Sequence, residues 1–159
     1  IGCDSMNHWI KNKNRPLKNM IKKTSIIFLN DSEAKMLSGE SNMLKAGKYL
    51  LSLGPKFAVV KRGEYGAILF SKNFTFMTPA YLLEDVKDPT GAGDTFAGGF
   101  MGYLAKTDKI NEKNIKNALL WGSVMASFTV QDFSVNRFLN ITKKDIEERY
   151  NKFKKLIEL

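Results

Sequence analysis

The sequence has few of the residues that mark secreted or membrane proteins. Its 159 residues include one cysteine, Cys3, so no internal disulfide can form. A lone thiol fits a reducing compartment, and we expect a cytoplasmic protein. No apolar run approaches the roughly 18 residues that cross a bilayer, so no membrane partner is expected. The one histidine, His8, is interpreted as a surface or packing residue.

Acidic residues are also few: the sequence has 16 of them against 25 basic residues, and its formal net charge is +9. Such an excess attracts nucleic acid, anionic lipid or polyphosphate. The lysines are spread along the chain, however, and no aromatic residues alternate with them as in a platform for single-stranded nucleic acid. We therefore expect a solvated basic surface and no nucleic-acid partner, and keep a basic nucleic-acid-binding module as the weakest alternative.

The apolar pattern alternates between short runs and amphipathic stretches. Four runs rich in β-branched and aromatic residues predict strands at 25–29, 57–60, 66–70 and 74–77. Residues with a helical period predict helices at 42–53, 95–105, 114–130 and 143–159. This order predicts a single α/β domain over 1–159, with a mainly parallel sheet covered by helices.

The last predicted helix has a well-marked start. Thr142 is expected to be its N-cap, with Asp145 three residues later accepting a hydrogen bond in return. Ile141 is expected to pack on Ile146. The spacing predicts a buried stripe made of Ile146, Tyr150, Phe153 and Ile157.

The segment 88–99 carries the strongest chemical signal. Gly91, Ala92 and Gly93 precede an amphipathic helix that we expect to begin near Asp94. Small residues let the backbone approach a ligand closely, and the N–H groups at a helix start form an anion site suited to a phosphoryl group. A carboxylate at the same turn would repel a phosphate, but it suits a base that accepts a proton from an attacking hydroxyl.

The alternative interpretation of this segment is structural. Asp94 would then be the N-cap of the helix after a glycine-rich loop, and Gly98, Gly99 and Gly102 would allow tight helix packing.

The whole stretch Asp-Pro-Thr-Gly-Ala-Gly-Asp-Thr-Phe resembles the C-terminal signature of the ribokinase, or PfkB, carbohydrate kinase family. Asn30-Asp-Ser-Glu33 and the block 61–67 resemble two further family motifs, in the same order. The resemblance runs from Asp4 to about Ile146 and corresponds to the second half of a family member. The sequence starts at Ile1, in what looks like the middle of a secondary-structure element. We therefore expect this chain to be a fragment of a longer protein.

This resemblance implies a Rossmann-like ribokinase-type fold, here only its C-terminal portion, and a kinase that uses ATP and Mg²⁺. Asp94 would be the catalytic base, and the N–H groups of Gly91, Ala92 and Gly93 would form the anion hole. Glu33 and Asp88 would help to bind metal ions. The residues implied to contact the nucleotide or its phosphates are Asn30, Glu33, Lys61, Gly63, Gly66, Thr90, Gly122, Ser123 and Met125.

The resemblance also implies partners. The acceptor would be a hydroxyl of a small sugar or nucleoside, which the fragment alone is expected not to phosphorylate, and the full-length protein could form a homodimer. Asp88 and Thr90 stand where many relatives touch a monovalent cation such as K⁺, but 130–134 replaces the glycine-containing turn of that site, which argues against it. Asp4 and Asn7 could face the substrate or phosphate. A catalytically silent ATP-binding or regulatory domain remains an alternative function.

Overall fold

The computed structural model describes residues 1–157, which form five strands and seven α-helices. The strands are β1 (Gly2–Asp4), β2 (Ile26–Asn30), β3 (Phe57–Lys61), β4 (Ala67–Ser71) and β5 (Thr75–Thr78). The helices are α1 (Asn7–Asn12), α2 (Asn14–Ile21), α3 (Asp31–Ser38), α4 (Met43–Ser52), α5 (Ala92–Thr107), α6 (Glu112–Thr129) and α7 (Lys143–Ile157). The chain divides into two compact units, Ile1–Met77 and Thr78–Leu159.

The first unit is built on a mixed sheet with the strand order β1-β2-β3-β4-β5. β1 and β3 both run parallel to β2, whereas β4 runs antiparallel to β3. The tight 3-10 turn Gly63–Tyr65 makes that reversal, because it connects β3 directly to β4. Parallel pairing places the carboxyl ends of β1, β2 and β3 at one edge of the sheet.

One face of this sheet forms a continuous core with the helices of the first unit. Alternate residues of neighbouring strands are in register on that face, as Ile27 is with Ala58 and Leu29 is with Val60. α1 to α4 contribute Ile10, Leu17, Ile21, Ala34, Leu37 and Leu50 to the same cluster. Burial of these apolar side chains contributes most of the free energy that stabilises the unit.

The second unit is helical, and α5 packs closely against α6. A Cβ added at Gly99 would lie 2.6 Å from Cγ of Met125, and one added at Gly122 would lie 2.9 Å from the carbonyl oxygen of Phe96. Only glycine therefore allows this separation of the two helices. On α7, Phe153 is 1% exposed and packs with Phe128 and Leu120 of α6.

The α/β class is confirmed, with a mixed sheet in which β1, β2 and β3 are parallel. The Thr142–Asp145 cap is confirmed as well, and the predicted stripe packs on the α6 core. Residues 158 and 159, the end of the predicted last helix, lie outside the described part. In residues 1–157 no helix has both the length and the apolarity needed to cross a membrane. A single domain over 1–159 stays a prediction.

Candidate functional site

The glycine-rich segment forms the first turn of α5, which begins at Ala92, earlier than predicted. Gly91 is the N-cap and has a φ of 79°, in the left-handed region that favours glycine. Its carbonyl accepts hydrogen bonds from the N–H and the hydroxyl of Thr95, both at 2.9 Å. The N–H of Ala92 donates to the carbonyl of Pro89 at 3.2 Å, so an anion bound here would compete with that turn.

Asp94 is the third residue of α5, so the interpretation of Asp94 as the N-cap is wrong. Its side chain is exposed, and no hydrogen bond or ion pair joins its carboxylate to another residue of the described chain. The positive end of the helix dipole favours a negative charge at this position. The Asp94 carboxylate is therefore open to contact by a ligand.

Asp88 and Thr90 lie just before this helix, beside the end of α6. The N–H of Thr90 donates to Oδ1 of Asp88 at 2.9 Å, and hydrogen bonds from the Thr90 backbone and hydroxyl lower the pKa of Asp88. The carbonyl of Val130 accepts the N–H groups of Lys87 and Asp88, at 2.8 and 3.3 Å. The turn that follows includes Ser134 with a φ of 54°, a left-handed conformation without glycine.

In the first unit, Asn30 and Glu33 form a reciprocal cap at the start of α3. The N–H of Glu33 donates to Oδ1 of Asn30, and the N–H of Asn30 donates to Oε2 of Glu33, both at 2.8 Å. Glu33 is buried, and burial raises the pKa of its carboxyl, with a smaller raising effect from Asp4. The alternative of Glu33 as a first-turn helix acid is confirmed, while its role at a metal stays a prediction.

Lys61 ends β3 and forms an ion pair that the sequence motifs do not predict. Its Nζ lies 2.5 Å from Oδ2 of Asp4, with side chains that are 15% and 25% exposed. Oδ1 of Asp4 accepts the N–H of Ser5 at 2.8 Å. Since β1 and β3 flank β2, the pair spans the carboxyl edge of the sheet beside Glu33.

The described residues 1–157 contain no group of three or more histidine, cysteine, aspartate or glutamate side chains arranged to hold a metal ion. Glu33 and Asp88 as metal-serving residues therefore stay predictions. Such a site would need oxygen atoms from the ligand or water, as Mg²⁺ commonly has when it is bound with phosphates.

Gly63 and Gly66 shape the turn between β3 and β4. They have φ values of 56° and 83°, and the N–H of Arg62 donates to the carbonyl of Gly66 at 2.8 Å. Both positions favour glycine for backbone reasons alone, and their contact with a nucleotide stays a prediction.

The three α6 residues predicted beside the adenine have structural contacts of their own. Gly122 faces Phe96 of α5, and Met125 occupies the space next to Gly99. Ser123 is buried, and its hydroxyl donates to the carbonyl of Leu119 at 3.2 Å. These contacts account for the residue types at Gly122 and Ser123 without a ligand, so their nucleotide-binding roles stay predictions.

A five-stranded mixed sheet and a glycine-capped helix that presents an exposed aspartate define the class, an α/β protein with the ribokinase-type fold. The chain belongs to the pfkB family of carbohydrate kinases, whose sequence model matches residues 4–142. This family membership agrees with the resemblance of the three motifs.

Named relatives agree with this assignment. The chain is 37% identical over 97 residues to a cytidine kinase of Thermococcus kodakarensis, covering 60% of this chain and 35% of that protein. It is 35% identical over 111 residues to a ribokinase of Staphylococcus aureus, covering 67% of this chain and 35% of that protein. The matched segments thus span about a third of those relatives.

Solved structures agree on the fold. An aminoimidazole riboside kinase from Salmonella enterica, crystallised with aminoimidazole riboside and an ATP analogue, superposes with a TM-score of 0.81 at 22% identity. That match covers 93% of this chain and 51% of the other. A ribokinase from Thermotoga maritima has a TM-score of 0.72 at 26% identity, covering 84% and 44%. The chain spans about half the length of these kinases.

Proposed function

We propose that this chain forms the nucleotide-binding and catalytic half of an ATP-dependent kinase that phosphorylates a hydroxyl of a sugar or nucleoside. Membership of the pfkB family supports the reaction class. The names of the relatives, a cytidine kinase and a ribokinase, support the two acceptor classes. A cytoplasmic location and a homodimer stay predictions.

The observation that carries the proposal is the exposed carboxylate of Asp94 in the first turn of α5. A domain that only binds phosphate gains nothing from a negative charge at a helix start that would hold the anion. A kinase needs both a carboxylate and anion-binding N–H groups there, because the acceptor hydroxyl loses a proton as the phosphoryl group arrives. Asp94 would take that proton at a carboxylate oxygen.

The start of α5 would stabilise the charge that spreads over the migrating phosphoryl oxygens. Gly91 holds the left-handed turn that aims the first-turn backbone, and no Cβ there blocks a ligand. N–H dipoles fixed in advance need little reorganisation during the reaction, which is why such devices contribute strongly to rate. Gly91, Ala92 and Gly93 are the proposed donors.

Lys61 would bind the phosphates of ATP, and Glu33 would help to hold the magnesium ion that accompanies them. The Lys61 ammonium is held by Asp4, and the Glu33 carboxylate is held by the cap with Asn30, so both charges are fixed before a ligand arrives. Magnesium, when bound, would neutralise phosphate charge. Asn30 and Glu33 would orient it through its waters, since Mg²⁺ gives up water reluctantly.

The proposal is tested by calorimetry with ATP and ADP in the presence of magnesium. Lys61→Gln should weaken binding about tenfold, the usual effect of losing one charge-assisted phosphate contact. Lys56→Gln is the matched control, because Lys56 is exposed and lies just before the opposite end of β3. Equal affinities for the two variants would remove Lys61 from the nucleotide site.

Turnover is tested by a coupled ADP-release assay over a panel of sugars and nucleosides. It uses both this chain and the full-length product of its gene. We expect the full-length product to phosphorylate a member of the panel, and this chain alone to bind nucleotide with little turnover. Orientation of the acceptor can lower the activation free energy by about 7–11 kcal/mol, and this chain spans only about half the length of the related kinases. A folded sample that binds no nucleotide would contradict the proposal.

A further inference from the structure

A site with three basic and two acidic side chains lies in the helical unit, outside the segment 88–94. It is a pocket of about 250 Å³ between α7 and the end of α6. Its wall is formed by Tyr81, Phe128, Arg137, Asn140, Ile141, Asp145, Glu148, Arg149 and Lys152. None of these residues takes part in the proposed reaction.

Arg137 carries a buried donor without an acceptor. Its Nε is shielded from solvent and has no hydrogen-bond partner within residues 1–157. Buried polar groups in proteins are almost always hydrogen-bonded, because an unsatisfied one destabilises the fold. As the side chain stands, this Nε is closed to a water-sized molecule, so a ligand oxygen in the pocket would reach it only after the Arg137 side chain shifts.

Arg149 adds a second guanidinium, held rigidly. Its Nη1 donates to Oγ of Ser127 at 3.0 Å and its Nη2 donates to Oε1 of Gln131 at 2.8 Å. The guanidinium carbon lies 3.5 Å from the ring centre of Phe128 and 5.2 Å from that of Tyr81. Burial lowers the pKa of Arg149; Arg137 also lowers it, while Tyr81 and Asp145 act in the opposite direction.

The acidic residues of the pocket do not pair with these arginines. Oδ2 of Asp145 accepts the N–H and hydroxyl of Thr142 as the cap of α7, at 2.7 and 2.6 Å. Glu148 has a side chain that is 56% exposed and lies 3.8 Å from Lys144. Neither guanidinium forms an ion pair with a carboxylate of the described chain, although Asp145 is near enough to attract both arginines electrostatically.

We propose that this pocket binds the phosphate group of a small metabolite, with Arg137 as the main ligand and Arg149 as the fixed second charge. Guanidinium groups bind oxyanions through two parallel N–H donors, which suits phosphate. The partly exposed ring of Tyr81 would pack against the remainder of the ligand, whereas Phe128 is buried beneath the Arg149 guanidinium. The pocket volume of about 250 Å³ lies below the roughly 300–1,000 Å³ of typical small-molecule sites, which favours a compact ligand over a polymer.

The direct test observes Arg137 by NMR in the wild-type chain. Its Nε–Hε signal, assigned by its loss in Arg137→Lys, should move and saturate as inorganic phosphate is added, and should not move with chloride at equal ionic strength. A signal that phosphate does not move would overturn the proposal. This readout separates the pocket from the start of α5, which is also proposed to bind phosphate.

Calorimetry with inorganic phosphate gives the second measurement. Arg137→Gln should weaken the binding that the NMR titration reports by about tenfold or more, as expected for a lost charge-assisted contact. Lys143→Gln removes the same charge from a side chain that is 76% exposed and outside the pocket wall, so it should bind like the wild type. Equal losses in both variants would show a general charge effect and contradict a specific site.

Discussion

The packing of α5 against α6 leads to a prediction in which the same substitution at adjacent positions has opposite effects. In Gly99→Ala the new Cβ would lie 2.6 Å from Cγ and 2.9 Å from Cβ of Met125, and 3.0 Å from the carbonyl oxygen of Trp121. The backbone oxygen cannot rotate away as the end of a side chain can, so the helices must move apart. In Gly98→Ala the new Cβ meets nothing within 4 Å.

The expected magnitudes follow from these contacts. Overpacking of a close contact costs about 1–3 kcal/mol, and this contact involves backbone, so we take the upper half of that range. Alanine regains roughly 1 kcal/mol of helix propensity over glycine. Gly99→Ala should therefore lower the free energy of unfolding by about 1–2 kcal/mol, whereas Gly98→Ala should raise it by about 0.5–1 kcal/mol.

Urea denaturation followed by circular dichroism at about 222 nm measures both changes, and equal m values would show that the denatured states are comparable. Gly102→Ala provides a further control, because its Cβ also meets nothing within 4 Å. Equal stability of the Gly98→Ala and Gly99→Ala variants would refute the close approach of α5 and α6 at Gly99.

Two further predictions concern the turn after α6 and the cap of α7. Ser134→Gly should raise the free energy of unfolding by about 0.5–1 kcal/mol in the same urea assay, because Ser134 has a φ of 54° and glycine adopts that conformation without strain; a destabilised variant would contradict it. Hydrogen bonds from Thr142 lower the pKa of Asp145, so its stabilising effect is complete above the ordinary value of 3.8 and disappears as the pH falls through the lowered pKa. Asp145→Asn should therefore reduce the melting temperature near neutral pH, and the difference from wild type should shrink in acid; a difference independent of pH would argue against the ionised cap.

Local features of the fold were predictable from sequence. The cap by Thr142 and Asp145 and the stripe through Phe153 depend on residues three or four positions apart, so helical geometry alone determines which of them meet. The predicted start of this helix, at residue 95, lies three residues after the observed start of α5 at Ala92. The helix extends back to Ala92 because the left-handed conformation of Gly91 forms its N-cap.

Contacts between distant segments were not predictable in the same way. Asp4 and Lys61 are 57 positions apart, and they meet only because β1 and β3 both run parallel to β2. Arg149 likewise finds Ser127 and Gln131 through the packing of α7 on α6. A single sequence contains the strands and helices but not their register, so these partners emerge only from the fold.

The helix packing also changes how the motif residues are interpreted. Gly122 looked like a nucleotide-flanking position, yet its contact with Phe96 already requires glycine. Asp94 differs, because its exposed carboxylate contributes to no packing and no cap of α5. Of the motif residues, Asp94 therefore bears most directly on the proposed chemistry.

The most direct test of the proposed function is the turnover of Asp94→Asn in the full-length product of the gene. Rate is followed by ADP release with an accepted sugar or nucleoside, and ATP affinity by calorimetry. Asp85→Asn, an exposed carboxylate upstream in the same unit, is the control. The account predicts that Asp94→Asn loses about 10²–10⁴ in kcat, the usual contribution of a general base, with ATP affinity within a few fold of wild type. Near-normal turnover of Asp94→Asn would contradict it.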